Sequence, residues 1–209
     1  IYLPLFNRAV NGQYAPGSTF KPVVGLAGIS AAITDWEETI EDKGWFKLPG
    51  QKRVYRDWSW TKENSGGQGE VNLNRAIYRS SNVYFYDLAS RMQIDSLLGF
   101  AGQFGFGRNL ALDIPEASSG LLPTPEWKRN VKNQPWYPGD SVNLGIGQGD
   151  LLATPLQMAT VAATIANRGR VVRPKMLLTS DASIDEMNGV DEPPQILGLS
   201  EEDWESMVD

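Results

Sequence analysis

Two short patterns in the chain bring together side chains able to do nucleophilic chemistry. Ser18-Thr19-Phe20-Lys21 and Ser59-Trp60-Thr61-Lys62 each set a hydroxyl three residues ahead of an amine. Ser80-Ser81-Asn82 and Ser141-Val142-Asn143 each set a hydroxyl two residues ahead of an amide. The 209 residues contain no His and no Cys. That rules out a Ser-His-Asp triad, a thiol nucleophile, a disulfide and a zinc-cysteine cluster, so any serine nucleophile must take Lys, Tyr or a carboxylate as its base. A Ser-x-x-Lys this short arises about once by chance in a chain of ordinary composition. Context has to separate the two copies.

Ser59-x-x-Lys62 runs into Glu63-Asn64-Ser65-Gly66-Gly67, which cannot sustain a helix, and reads as accidental. Ser18 follows Ala15-Pro16-Gly17 and precedes a run (Val23, Val24, Leu26, Ala27, Ile29, Ala31, Ala32, Ile33) with almost no polar face, the mark of a core helix over 18–33. Pro22 is tolerated only in a helix's first turn, so the helix begins close to Ser18. Free backbone N–H groups there suit an oxyanion. Lys21 returns to the face of Ser18. The positive helix end and the apolar surroundings both favour its neutral amine. At an ordinary pKa of about 10.4, roughly one Lys in a few thousand is neutral at pH 7. A drop of ~3 units, about 4 kcal/mol, makes Lys21 a workable base and is within reach of burial. The plain alternative is a Ser N-cap beside a solvated Lys.

Of the two Ser-x-Asn sites, Ser80-Ser81-Asn82 falls where the helical pattern of 72–92 is interrupted, so its hydroxyl and amide can reach a neighbouring site. Ser141-Val142-Asn143 reads as a structural loop-to-strand run. A hydroxyl beside a neutral amine can relay a proton, and an amide can hold a peptide-like substrate. Helix capping is the plain alternative for Ser80 and Asn82.

The elements that must position these groups follow from local signals. Residues 1–17 read as extended or loop-like. Residues 34–70 interleave Trp36, Trp45, Phe46, Tyr55, Trp58 and Trp60 with charge and Gly, suggesting short strands whose aromatics pack and do not form a glycan platform. Asp57 beside Arg56 reads as a structural ion pair. Helices are expected over 72–92, with Asn72 as N-cap, and over 94–104. Pro- and Gly-rich loops are expected over 113–140. Thr154-Pro155-Leu156-Gln157 is a capping-box start for a helix ending at Gly169, followed by a strand at Val171-Val172. Ser200 with Glu201, Glu202 and Asp203 opens a last helix.

Composition narrows the function classes. The net charge of −6 is uneven: residues 181–209 carry ten acidic residues and no basic ones, read as a solvated acidic segment. The net-positive remainder lacks the Lys/Arg runs of a nucleic-acid binder, so no nucleic acid is expected as partner. No apolar run approaches a bilayer span. The chain opens at Ile1, and its last helix breaks off about two turns after a well-capped start; both read as a piece of a longer polypeptide. Gly145-Ile146-Gly147-Gln148-Gly149 lacks the spacing of a dinucleotide fingerprint and the Lys of a P-loop, so tight loop packing accounts for it better than a nucleotide.

Taken together, these stretches resemble a known family. Ser-x-x-Lys, Ser-x-Asn and Lys-Thr-Gly form the signature of penicillin-binding proteins and class A β-lactamases. Asn7-Arg8-Ala9, Tyr14 to Pro22, Tyr55-Arg56-Asp57-Trp58, Trp136-Tyr137-Pro138-Gly139-Asp140, and Gly145 to Gly149 running into Ala153 to Ala159 resemble penicillin-binding protein 2. These are the class B, elongation-type transpeptidases of bacterial cell walls, and the likeness spans roughly 1–175. It implies an α/β (α+β) fold, an antiparallel sheet flanked by helices beside a mostly helical subdomain over about 72–170, here truncated. It implies Ser18 as the acylated nucleophile, Lys21 as its base, Ser80 as proton relay and Asn82 as a substrate-positioning amide, with no cofactor or metal. The implied partners are peptidoglycan stem peptides, β-lactam antibiotics and membrane-embedded elongation-complex proteins, at the periplasmic face of the inner membrane with the anchor outside this chain.

No Lys here precedes Ser/Thr-Gly. In the family that third motif binds the substrate carboxylate and completes the oxyanion hole, and one lost donor costs about 10²–10³ in rate. These 209 residues alone are therefore expected to be nearly inactive. The alternatives are a serine β-lactamase, for which the sequence offers no convincing water-activating carboxylate and leaves only Asp57 and Asp140 open, and a non-catalytic β-lactam-sensing or scaffold domain.

Overall fold

The computed structural model describes residues 5–63, 66–110, 113–174 and 194–208. Much of the acidic segment expected over 181–209 lies outside them. Asn7 caps a short helix, α1 (Arg8–Asn11), through its side chain. A 3₁₀ turn, Gly17–Phe20, then leads into α2 (Lys21–Ser30), whose first turn holds Pro22. The helix expected over 18–33 is therefore split in type, and it closes at Ser30 instead of Ile33 because Ala32 turns left-handed at φ 53°. Phe20, Val23, Val24, Leu26 and Ala27 are all buried, as a helix without a polar face requires.

Four short strands follow: β1 (Ile40–Asp42), β2 (Trp45–Phe46), β3 (Tyr55–Arg56) and β4 (Gly69–Val71). β1 pairs antiparallel with β4, Glu41 opposite Glu70, and β2 pairs antiparallel with β3. Partners share a face. Phe46 and Tyr55 turn inward onto Tyr86, at ring separations of 6.1 and 5.5 Å. Trp45 and Arg56 turn outward, and Trp58 is also exposed, so the aromatics of this region do not all serve packing.

The expected break in the second helical stretch is present. α3 (Leu73–Tyr78) is capped by Asn72 and α4 (Asn82–Arg91) by Ser81. Between them Ser80 sits at φ 55°, in the left-handed region. α5 (Ile94–Gln103) follows as expected. Two helices, α6 (Pro125–Lys132) and α7 (Pro138–Leu144), occupy the stretch expected to be loop, and α7 replaces the loop-to-strand run at 141–143. Their prolines stand at first helical positions, where a missing N–H costs nothing.

α8 (Pro155–Ala166) has the anticipated capping box, with Thr154 N–H donating to Gln157 Oε1 and Gln157 N–H to Thr154 Oγ1. No strand forms at Val171-Val172; Arg170 makes an isolated bridge to Gln195. α9 (Glu201–Val208) begins after Ser200 as its capping pattern requires, with Asp203 accepting from Ser200 N–H. α2 lies against α4 and α5, and α4 against α7, so one continuous core joins the Ser18 turn to the Ser80 break. Among the described residues no helix is long and apolar enough to cross a membrane.

Candidate active site

Ser18 lies in the 3₁₀ turn and is exposed, while Lys21, one turn on, has only 1% of its surface exposed. The α3–α4 break brings Ser80 and Asn82 to that amine. Lys21 Nζ donates to Ser80 O at 2.7 Å, Ser80 Oγ at 3.0 Å and Asn82 Oδ1 at 2.7 Å, which uses all three ammonium protons. Ser80 Oγ donates in turn to Ser18 Oγ at 2.9 Å. The link from amine to outer hydroxyl therefore runs from a buried group through a half-buried one to an exposed one. All four residues singled out in the sequence meet here. Ser59-x-x-Lys62 and Ser141-x-Asn143 do not join them.

Burial drives the electrostatics. Desolvation pushes Lys21 down from 10.5 to about 8, against the pull of the carboxylates of Asp57 and then Asp42, which favour the cation. At that value about one Lys21 in ten is neutral at pH 7, against one in a few thousand for a solvated amine. The face of Phe85, 5.5 Å from Nζ, lines the apolar side. Loss of one proton lets the hydroxyls reverse, Ser18 donating to Ser80 and Ser80 to the amine. That turns the chain of bonds into a path from the Ser18 hydroxyl to the Lys21 amine.

Asp42 and Asp57 were not recognised from sequence as parts of this arrangement. Asp57 makes no ion pair with Arg56: the guanidinium instead stacks 4.1 Å from the Trp60 ring, on the outward face. The buried Asp57 carboxylate accepts from Asn82 N–H at 2.6 Å and Ser59 N–H at 3.0 Å. Asp42 accepts from Ser81 Oγ at 2.7 Å and Gly44 N–H at 2.7 Å. Asp140 is held by Lys128 and by Tyr137 N–H, so it too is engaged.

The Ser18 turn is fastened from the other side by the Gly145–Gly149 loop. Gly17 N–H donates to Gly147 O, and Tyr14 and Ala153 exchange a pair of backbone bonds. Gly147 has φ +68°, and a Cβ on it would fall 2.1 Å from Gly17 O. Loop packing accounts for this glycine. Ser18 N–H has no acceptor among the described residues and is available to the oxygen of a carbonyl attacked at Ser18 Oγ.

The profile of the penicillin binding protein transpeptidase domain matches residues 2–207. The chain belongs to that family. Among curated proteins it is similar to the peptidoglycan D,D-transpeptidase MrdA of Acinetobacter baumannii, 41% identical over 212 residues, covering 99% of this chain and 31% of that protein. The MrdA of Escherichia coli K12 is 40% identical over 178 residues, covering 85% of this chain and 27% of that protein. The chain thus spans about a third of its relatives' length. Among solved structures it is similar to Pseudomonas aeruginosa PBP2 in complex with WCK 5153, with TM-score 0.84, 40% identity, and coverage of 98% of this chain and 45% of the other. Helicobacter pylori PBP2, solved in complex with MreC, gives TM-score 0.81 and 31% identity, covering 98% and 35%. The transpeptidase fold of mixed helices and antiparallel sheets is the one the sequence resemblance implied.

Proposed function

We propose that this chain is the nucleophile-bearing part of a peptidoglycan D,D-transpeptidase serving cell elongation and shape. The observation that carries this reading is the relay from buried Lys21 through Ser80 to Ser18. Ser18 Oγ attacks the carbonyl carbon between the two terminal D-Ala residues of a stem peptide. Its proton passes to Ser80, and the Ser80 proton passes to Lys21. The tetrahedral intermediate expels D-Ala, whose nitrogen takes the proton back from Lys21 along the same path. An amine from a neighbouring stem then attacks the ester, loses its proton to the relay and frees Ser18 with a cross-link formed.

Asn82 Oδ1 is committed to Lys21, which leaves Nδ2 to donate to a substrate carbonyl. A β-lactam acylates Ser18 by the same route. Asp57 and Asp140, the candidates for activating a deacylating water, already accept from backbone N–H groups, which supports a long-lived acyl-enzyme over a β-lactamase. The relatives' names support a periplasmic site of action, and the H. pylori PBP2–MreC complex supports a protein partner.

The test is incubation of the full-length protein with a stem pentapeptide and an amine acceptor. Mass spectrometry should find D-Ala release and cross-linked product, both lost in Ser18→Ala. Penicillin turnover within seconds, or product formation by Ser18→Ala, contradicts the reading.

A further inference from the structure

We infer that Asp57 is a positioning residue for acylation of Ser18, acting through the backbone N–H of Asn82. The inference rests on the transpeptidase reading above. Ser80 presents three things to the relay from one residue: its carbonyl, its hydroxyl and a left-handed backbone at φ 55°. A non-glycine residue there must be held by its neighbours. On the α3 side, Ser80 N–H and Ser81 N–H close the helix on Ile77 O and Ala76 O. On the α4 side the hold comes from the strand region, through bonds that span 25 and 39 residues of chain.

Asp57, one residue past β3, takes the Asn82 N–H at 2.6 Å, and Asp42, at the end of β1, takes the Ser81 hydroxyl at 2.7 Å. Ser81 Oγ passes the constraint on by accepting Tyr84 N–H as the α4 cap. The two residues that follow Ser80 are therefore each tied to a buried carboxylate, 4% and 2% exposed. A charge-assisted bond from a buried carboxylate is about twice as strong as a neutral one, so the first turn of α4 is fixed where it delivers Ser80 Oγ and Asn82 Oδ1 to the same nitrogen.

Asp57 has a second effect on Lys21. The groups facing Nζ are Ser80 and Asn82 from the break, the Phe85 face from α4, and the charges of Asp57 and Asp42 from the strand region. Of these, the two carboxylates are charged, and both stabilise the ammonium. They keep a buried amine from losing its proton altogether, so that it can return one to the leaving group.

The experiment is the pH profile of β-lactam acylation by the full-length protein and its Asp57→Ala and Asp57→Asn variants, with thermal melting beside it. Asp57→Ala leaves Asn82 N–H without an acceptor and should lower the high-pH plateau about 10²-fold, the scale of a small misplacement of reacting groups. Asp57→Asn keeps an acceptor for Asn82 but gives up the bond from Ser59 N–H and the charge. It should recover the plateau to within about tenfold and move the acid limb down by about one pH unit, the effect of removing an opposite charge from a cation. A wild-type plateau in folded Asp57→Ala, or an unmoved limb in Asp57→Asn, overturns the inference. Should Asp57→Ala fail to fold, the limb in Asp57→Asn decides alone. Absence of acylation in the unsubstituted protein would instead overturn the transpeptidase reading.

Discussion

Ser80 Oγ stands 2.9 Å from Ser18 Oγ although 62 residues separate them. The outer hydroxyl is solvent-exposed and the inner one touches a buried amine, so the pair links solvent to the protein interior. In the proposed relay its working depends on the fraction of Lys21 that is neutral.

That dependence fixes the pH profile. Burial holds Lys21 at about 8, and the proposed relay requires its neutral amine. β-Lactam acylation of the full-length protein should therefore rise with pH, reach half its plateau near pH 8 and fall about tenfold for each unit well below that. Lys21→Arg, which cannot deprotonate, should give no measurable rise. Stopped-flow acylation across pH 6–10 reads both.

Removing the relay hydroxyl should separate activity from stability. Ser80→Gly accepts φ 55° without a Cβ, which offsets the missing hydrogen bond from Lys21. Stability should stay within about 1 kcal/mol of the parent while acylation falls about 10²–10⁴-fold. Urea unfolding and acylation of the same preparation check the two halves.

Gly147→Ala should damage both properties. Its Cβ would sit 2.1 Å from Gly17 O at a backbone angle that alanine disfavours. A loss of at least about 2 kcal/mol is expected, together with slower acylation, because the displaced loop drags the Ser18 turn.

Gln157 tests the opposite case, a polar residue that holds the fold and not the site. The two protons of its buried amide nitrogen are shared among Gly105 O, Arg108 O and Ser119 O, while its oxygen caps α8. Gln157→Leu strands several of these groups and should cost about 3 kcal/mol by urea midpoint. Acylation per folded molecule should be unchanged.

Much of the site was legible because its chemistry is local in sequence. Ser18 and Lys21 lie one helical turn apart at the head of an apolar helix, and Ser80 and Asn82 mark a break in a helical pattern. Asp42 and Asp57 were not legible as partners of Ser81 and Asn82, since their bonds depend on how two short strand pairs fold back over α4. Adjacency suggested an Arg56–Asp57 pair, but the strand pleat sends the two side chains to different sides. Helices α6 and α7 were hidden by Pro125 and Pro138, which read as loop formers until Thr124, whose hydroxyl caps α6, and Asp140, which accepts Tyr137 N–H at the head of α7, are counted. The expected strand at Val171-Val172 has no ladder partner among the described residues, where the adjoining Arg170 makes a single bridge.

The most direct test is to locate the covalent adduct. The full-length protein treated with fluorescent penicillin, digested and mapped by mass spectrometry should carry one adduct, on Ser18, absent from Ser18→Ala and strongly reduced in Lys21→Arg. An adduct on any other residue, or one that persists in Ser18→Ala, contradicts the relay as the source of the nucleophile.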